Sequence, residues 1–168
     1  MPKIPERKVD MSEEEIMELI FDATEQPSQK RPGSGYSGKK KQQTVKNQIA
    51  VTPNGKLKSV SKTVAGNMHD KKLYDNTGVY TLEKVKRKAD LAYLGTSCHI
   101  PYKKPKKRTL TARQKEYNQK FGSERIIVEH TIAHLKKFQI LAQKFRNPVK
   151  KHSLIFKNIA GLRNLQMA

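Results

Sequence analysis

The stretch Val45–Val64, with the sequence VKNQIAVTPNGKLKSVSKTV, decides the fold because it contains two strands and the turn between them. Apolar residues at alternate positions, interrupted once at Asn47, predict a half-buried strand over Val45–Val51. The following Thr52–Gly55 is a turn signal, and Leu57–Val64 is expected to return as the partner strand. A β-hairpin is therefore predicted in this part of the chain.

Upstream of the hairpin, the sequence predicts a further strand and a loop. The apolar cluster Leu19–Phe21 stops abruptly at Asp22, which is typical of a buried strand with an acid at its tip. The segment Gln26–Lys41 is rich in Pro, Gly, Ser and Lys and predicts an exposed loop. Nearer the amino terminus, a capping-box pattern that begins at Ser12 predicts a short helix.

Downstream of the hairpin, short elements alternate with loops. A short helix is predicted within Asp70–Tyr80, and a strand over Lys84–Asp90 again ends in an aspartate. Another short strand is expected at Ile100–Tyr102, followed by a basic loop over Lys103–Arg108.

The last third of the chain is predicted to be helical. One helix should begin at Thr109 or Thr111 and break or kink at Gly122. The next should begin after Ser123, and a final helix is predicted over Ser153–Leu165. The middle helix carries an apolar face with i, i+4, i+7 and i+10 spacing, formed by Val128, Ile132, Leu135 and Phe138. The order of elements predicts an α+β or α/β fold in which helices cover a central mixed sheet.

The charge of the chain points to a polyanionic partner. Lys and Arg number 35 against 15 Asp and Glu, which gives a net charge of +20. Residues 1–25 hold eight acids and three bases, so the rest of the chain holds 32 bases and seven acids. A single-sign field of this size attracts nucleic acid, whereas a surface that serves only solubility usually mixes signs.

Composition gives no sign of a membrane or secreted protein. The longest apolar runs are three to five residues, and no basic-then-apolar leader is present at Met1–Asp10. The single cysteine, Cys98, has no partner for an internal disulfide and fits a reducing compartment. A cytoplasmic location is therefore expected.

Three acids stand out within the basic chain. Asp22 and Asp90 each end a predicted strand, and Glu129 lies on the apolar-striped helix. Phosphodiester chemistry with two divalent ions needs carboxylates from separate elements that converge on one point, and oxygen ligands suit Mg²⁺ or Mn²⁺. The alternative is a surface pair between Arg125 and Glu129, worth only about 0.3–0.5 kcal/mol. Spacing alone does not decide between the two.

A zinc site is a weaker candidate. His130 and His134 lie one helical turn apart, but no third ligand is spaced to complete a zinc site. A position on the helix surface or near DNA is the expected outcome for both.

Seven segments in order resemble the DDE domain of bacterial insertion-sequence transposases, in the group related to Harbinger-type elements. The resemblance runs from about Leu19 to Leu165. The segments are DATEQP (Asp22–Pro27), YSGKKK (Tyr36–Lys41), HDKKLYD (His69–Asp75), ADLAYLG (Ala89–Gly95), PYKKPKK (Pro101–Lys107), RIIVEHTIAHLKKF (Arg125–Phe138) and NIAGLRNL (Asn158–Leu165).

The resemblance implies an RNase H-like fold over residues 19–168, preceded by a lead-in segment over residues 1–18. It also implies that Asp22, Asp90 and Glu129 form a catalytic triad that holds two Mg²⁺ or Mn²⁺ ions for DNA cleavage and strand transfer. The cations expected to hold the DNA backbone are Lys39, Lys40, Lys41, Lys103, Lys104, Lys106, Lys107, Arg108, Arg125 and Lys136.

The partners that the resemblance implies are double-stranded DNA at transposon ends and at a target, in the nucleoid of a prokaryote. A homodimer and a separate helix-turn-helix polypeptide are further expected partners. The family pattern usually has Gly where Ala92 stands, a histidine where Gln42 and Gln43 stand, and a longer basic stretch before Tyr36. We therefore expect a shortened domain, with a non-catalytic basic nucleic-acid-binding remnant or module as the alternative.

Overall fold

The computed structural model describes residues 17–77 and 84–167. The helix predicted near Ser12 lies outside these residues. The strands are β1 (Glu18–Pro27), β2 (Gly35–Ser37), β3 (Gln42–Val51), β4 (Leu57–Val60), β5 (Val64–Ala65) and β6 (Lys86–Lys88). The helices are α1 (Asp70–Thr77), α2 (Ala112–Lys136), α3 (Gln139–Ala142) and α4 (Val149–Leu165), and a 3₁₀ turn covers Leu91–Tyr93.

The sheet is mixed, and β1 and β3 lie at its centre. Its main strand order is β2-β3-β1-β6, and β4 and β5 also pair with β3. β1 runs antiparallel to β3 and parallel to β6. This α+β architecture, with helices on a mixed sheet, confirms the predicted fold class and is consistent with an RNase H-like domain.

Both faces of the central strands are covered. On one face, Ile20 and Ile49 pack in a core with Val128 of α2 and Phe156 of α4. On the other face, Leu19, Phe21 and Ala50 pack around Tyr93. The prediction that the strand over Val45–Val51 is half-buried is therefore wrong. Every residue of this segment is buried, because helices cover one face of the sheet and the 3₁₀ turn covers the other.

The first strand is longer than predicted. Asp22 does not end it, because β1 continues to Pro27 and pairs with β3 along its whole second half. The alternating polar residues Thr24 and Gln26 are buried within the sheet. The predicted loop over Gln26–Lys41 accordingly contains the end of β1 and all of β2.

The hairpin prediction is confirmed, with a shorter second strand. β3 pairs antiparallel with β4, and β5 pairs further along the same strand. The strand predicted over Lys84–Asp90 is present as β6, and the helix within Asp70–Tyr80 is present as α1 over the described residues. The strand predicted at Ile100–Tyr102 is absent, and an isolated bridge from Lys88 to His99 stands next to it.

The two predicted helices around Gly122 are one helix, α2. Its start is confirmed, because Thr111 caps it and forms a capping box with Gln114. Gly122 is exposed, and glycine inside a helix costs only about 1 kcal/mol. The buried neighbours Phe121 and Arg125 anchor the helix on both sides of it. In the described parts of the chain, no helix is long and apolar enough to cross a membrane.

A buried histidine ties β1 to the carboxyl-terminal helices. His152 is 1% exposed, and its Nε2 lies 2.7 Å from Oε1 of Gln26. Nε2 of Gln26 donates to the carbonyl oxygens of Ile140 and Gln143, so Oε1 is the acceptor and His152 Nε2–H donates to it. The other ring nitrogen lies 2.9 Å from the Thr63 hydroxyl. Burial lowers the pKa of His152 to about 4.

Acidification should destabilise the fold through His152. The unfolded imidazole takes up a proton near pH 6.5 and the folded one only near pH 4, so stability is full above this window and is lost as pH falls through it. We expect His152 to account for about 2 kcal/mol of unfolding free energy lost by about pH 5. Urea denaturation of wild type and His152→Gln at several pH values measures this difference.

The exposed His134 offers a matched control. His134→Gln should keep the pH dependence of the wild type. An unchanged pH dependence in His152→Gln would contradict the assignment.

Candidate active-site cleft

A cleft of about 670 Å³ opens between β1, the 3₁₀ turn and α2. This volume lies within the range of ordinary ligand-binding clefts. Its wall includes all three carboxylates singled out from the sequence, Asp22, Asp90 and Glu129, each on a different element. The acids and cations that also line it are Glu25, Lys39, Lys40, Lys46, Asp70 and Lys136.

The pairing of strands explains why two of these carboxylates are neighbours. β1 and β6 are parallel with Ile20 opposite Lys88, and Asp22 and Asp90 each follow two residues later. Asp90 caps the 3₁₀ turn, since its Oδ1 accepts a hydrogen bond of 2.7 Å from the Leu91 amide. Ala92, which stands in place of the expected glycine, is exposed on this turn.

Arg125 lies between the two aspartates. Its guanidinium nitrogens are 3.9 Å from Asp22 Oδ2 and 3.7 Å from Asp90 Oδ1, and its side chain is 11% exposed. Its Nε is buried without a hydrogen-bond partner. Arg125 is thus buried against Asp22 and Asp90, which differs from the surface pair with Glu129 that the sequence left open.

Asp22 is a desolvated carboxylate. Burial raises its pKa to about 6, against the opposing effects of the Ala23 amide hydrogen bond and the Arg125 charge. The charges of Asp90 and Asp70 raise it further. A carboxylate in this environment is stabilised by a nearby cation.

A second ion-pair cluster, Glu25–Lys46–Asp70, adjoins the triad. Lys46 Nζ lies 2.8 Å from Asp70 Oδ1, 3.5 Å from Glu25 Oε1 and 2.8 Å from the Met68 carbonyl oxygen. Glu25 also accepts a hydrogen bond of 2.9 Å from the Thr44 hydroxyl. This cluster could not be predicted from the sequence, because Glu25 and Lys46 face each other only once β1 extends past Asp22.

One of the ten predicted DNA-binding cations, Arg125, is buried against Asp22 and Asp90 and is not on the cleft wall. The other nine fall into two groups. Lys39, Lys40 and Lys136 line the cleft, and Lys136 Nζ donates to the Glu25 carbonyl oxygen at 3.2 Å. Burial, followed by the charge of Lys40, lowers the pKa of Lys136. The other group is exposed and lies outside the cleft wall: Lys41, Lys103, Lys104, Lys106, Lys107 and Arg108.

The donor set of the cleft fits a hard divalent cation. Asp22, Asp90 and Glu129 offer carboxylate oxygens, and the desolvation of Asp22 favours a cation beside it. Across residues 17–77 and 84–167, no three His, Cys, Asp or Glu side chains already form a metal-binding group. Arg125 supplies the positive charge between the two aspartates in this structure. His130 and His134 are exposed on α2.

Comparisons with known proteins identify a family and a relative. The DDE superfamily endonuclease family matches residues 21–164. The probable transposase for insertion sequence element IS702 of Microchaete diplosiphon is 34% identical over 158 residues, which cover 89% of this chain and 57% of that protein. The chain therefore spans little more than half the length of this curated relative. The search of solved structures gave no significant match.

The Lys46 cluster should contribute to stability. Lys46→Met leaves two largely buried carboxylates without their cation, and we expect it to lower the unfolding free energy by about 3 kcal/mol. The matched variant is Lys71→Met, which removes an exposed pair with Asp75 and should cost less than about 1 kcal/mol. Urea denaturation compares them, and equal losses would refute a special role for the cluster.

Proposed function

Because the chain belongs to the DDE superfamily endonucleases, we propose that it cleaves and joins DNA phosphodiester bonds as the catalytic domain of an insertion-sequence transposase. One observation carries this proposal: Asp22, Asp90 and Glu129, from three separate elements, line a single cleft in a chain of net charge +20.

The three carboxylates would hold two Mg²⁺ or Mn²⁺ ions. Such ions supply charge stabilisation at the phosphate and a more acidic bound water or hydroxyl. The proposed reaction is in-line attack on phosphorus in two steps. Water attacks first and a DNA 3′-oxygen leaves as a 3′-hydroxyl; this hydroxyl then attacks a phosphate of the target strand, whose own 3′-oxygen leaves. The reaction needs no covalent bond between enzyme and DNA.

The residues of the chain would orient the DNA around the carboxylates. Lys39, Lys40 and Lys136 lie on the cleft wall and would bind phosphate oxygens on either side of the cleaved bond. Arg125 lies beside both Asp22 and Asp90. It would give up part of this contact when it binds a phosphate or when the two carboxylates bind metal. Glu129, exposed to the cleft, is the most accessible of the three donors.

Double-stranded DNA at the ends of an element and at a target would be the substrate. A mobile element has two ends, whereas the described part of one chain would form one triad, so a homodimer would supply one triad to each end. Recognition of the end sequence by a separate helix-turn-helix polypeptide, within a prokaryotic nucleoid, completes the proposal.

A basic nucleic-acid-binding domain without catalysis is the second candidate. The observation that favours it is the position of Arg125, whose guanidinium lies within 4 Å of both Asp22 and Asp90 and already supplies a positive charge where a metal ion would bind. The two candidates differ in whether DNA is cut.

Nicking of supercoiled plasmid in the presence of Mn²⁺ tests the first proposal. Asp90→Asn and Glu129→Gln each remove one anionic donor, and we expect either to slow nicking by about a hundredfold or more. Asp75→Asn alters an exposed acid on α1 and should nick at the wild-type rate. Equal nicking by wild type and Asp90→Asn would assign the activity to another site.

Salt dependence of binding tests the phosphate contacts. Affinity for a duplex should fall steeply between about 50 and 200 mM salt, and Lys136→Ala should reduce the slope of log K against log salt by about 0.9. Lys137→Ala, at an exposed neighbouring position outside the cleft wall, should change the slope less. Anisotropy titrations at several salt concentrations measure both, and a flat response in the wild type would contradict phosphate binding.

A further inference from the structure

A smaller pocket of about 300 Å³ lies between β6 and α2, beside the catalytic cleft. Tyr117 and Phe121 form one wall, with their rings stacked at 5.7 Å and an interplanar angle of 28°. Lys86, Lys120 and His99 also line it. None of the residues that line the cleft is part of its wall, so the pocket is a separate site.

The pocket is cationic despite the glutamate in its wall. Lys88 Nζ lies 2.6 Å from Glu124 Oε2 and 2.8 Å from Glu18 Oε2, so this lysine forms ion pairs with both carboxylates and offsets part of their negative charge. The hydrogen bond from Lys88 accordingly lowers the pKa of Glu124. Lys86 and Lys120 are exposed and add positive charge at the opening.

Two exposed tyrosine rings lie at the pocket, Tyr117 in its wall and Tyr102 in contact with Tyr117. Tyr117 is 39% exposed and Tyr102 is 49% exposed, and their rings meet edge to face with centroids 5.1 Å apart. The Asn118 side chain fixes Tyr102, because it accepts from the Tyr102 amide at 2.8 Å and donates to the Tyr102 carbonyl at 3.0 Å. The rings are therefore held in place while part of their surface faces solvent.

A cationic track leads away from these rings. The loop Lys103–Arg108 follows Tyr102 directly, all six of its residues are exposed, and five of them are cationic. Aromatic rings beside a positively charged groove are the combination by which proteins bind single-stranded nucleic acid, since bases stack on the rings and cations hold the phosphates.

We propose that this pocket binds an unpaired nucleotide of the DNA strand, with its base against Tyr117 and its phosphates near Lys86 and Lys120. The inference rests on the proposed function insofar as DNA is the substrate. A base inside a duplex offers no free face for stacking on a protein ring, so the occupant must be unpaired.

The pocket lies close enough to the triad to act on the same strand. Tyr117 precedes Glu129, the triad residue on the same continuous helix, by about 18 Å along the helix axis. At about 3.4 Å per stacked nucleotide, this distance corresponds to about five nucleotides. An unpaired base in the pocket would therefore lie within a few positions of the bond to be cleaved.

Binding without divalent metal, measured with the full chain, tests the proposal. The probes are a labelled 20-nucleotide single strand and the duplex of the same sequence. Tyr117→Leu removes the stacking ring, and we expect it to weaken single-strand binding by about tenfold while duplex binding changes less than about twofold. Tyr117→Phe keeps the ring and should bind as the wild type does.

A second readout locates the base. A single unpaired 2-aminopurine in a duplex with a 3′ overhang should be quenched on binding to the wild type and much less by Tyr117→Leu. The matched control is Tyr36→Leu, the same change at a tyrosine that is 54% exposed on β2, and it should leave both readouts unchanged. Lys120→Ala serves as a variant that cannot disturb the ring stack and should also weaken single-strand binding selectively.

Equal weakening of single-strand and duplex binding by Tyr117→Leu, or no weakening of either, would overturn the proposal. Its failure is distinguishable from failure of the proposed function, because these measurements involve no cleavage. Nicking that is lost in Asp90→Asn with single-strand binding unaffected in Tyr117→Leu refutes the pocket alone. The reverse pattern refutes the catalytic proposal and retains the pocket as a nucleic-acid site.

Discussion

The parallel pairing of β1 with β6 is the constraint on which the rest of the site depends. It places Asp90, two residues beyond the end of β6, next to Asp22 of β1, although 68 residues separate them in the chain. The apolar residues on the two faces of β1 then determine which elements cover this edge of the sheet. Ile20 packs under α2, and Phe21 packs around Tyr93 on the opposite face. Covering Ile20 with α2 brings Arg125 to the aspartates and Glu129 to the wall of the same cleft. The location of the cleft therefore follows from strand register and core packing together.

Electrostatics in this basic chain is organised around cations that each contact two acids. Arg125 lies between Asp22 and Asp90, Lys46 between Glu25 and Asp70, and Lys88 between Glu18 and Glu124. All three cationic side chains are largely buried, where an uncompensated charge is costly. The few acidic residues of this basic protein therefore have two roles: they form ion pairs with its buried cations, and they place oxygen donors in the cleft. The proposed metal site and the proposed nucleotide pocket border two of these clusters.

The sequence predicted the elements that depend on local pattern and missed those that depend on neighbours. The β3–β4 hairpin, the Thr111 cap and the apolar face with Val128 and Leu135 follow from turn chemistry and periodicity, and all are present. The extension of β1 through Gln26 could not be read locally, because its polar residues are buried only through β3 and His152. Gly122 suggested a break, but packing of the flanking turns outweighs its low helix propensity. The three acids singled out from the sequence line one cleft, whereas the Glu25–Lys46–Asp70 cluster depends on the cross-strand register and could not be predicted from the sequence.

The continuity of α2 has a consequence for where DNA would be cut. One uninterrupted rod of 25 residues carries Tyr117 at one end and Arg125, Glu129 and Lys136 further along. If a base binds at Tyr117 and a phosphate binds near the later residues, the backbone of the helix sets the distance between them. Under the proposals above, the helix would measure the distance from an unpaired end to the broken bond, and that distance would stay constant whatever bases lie between.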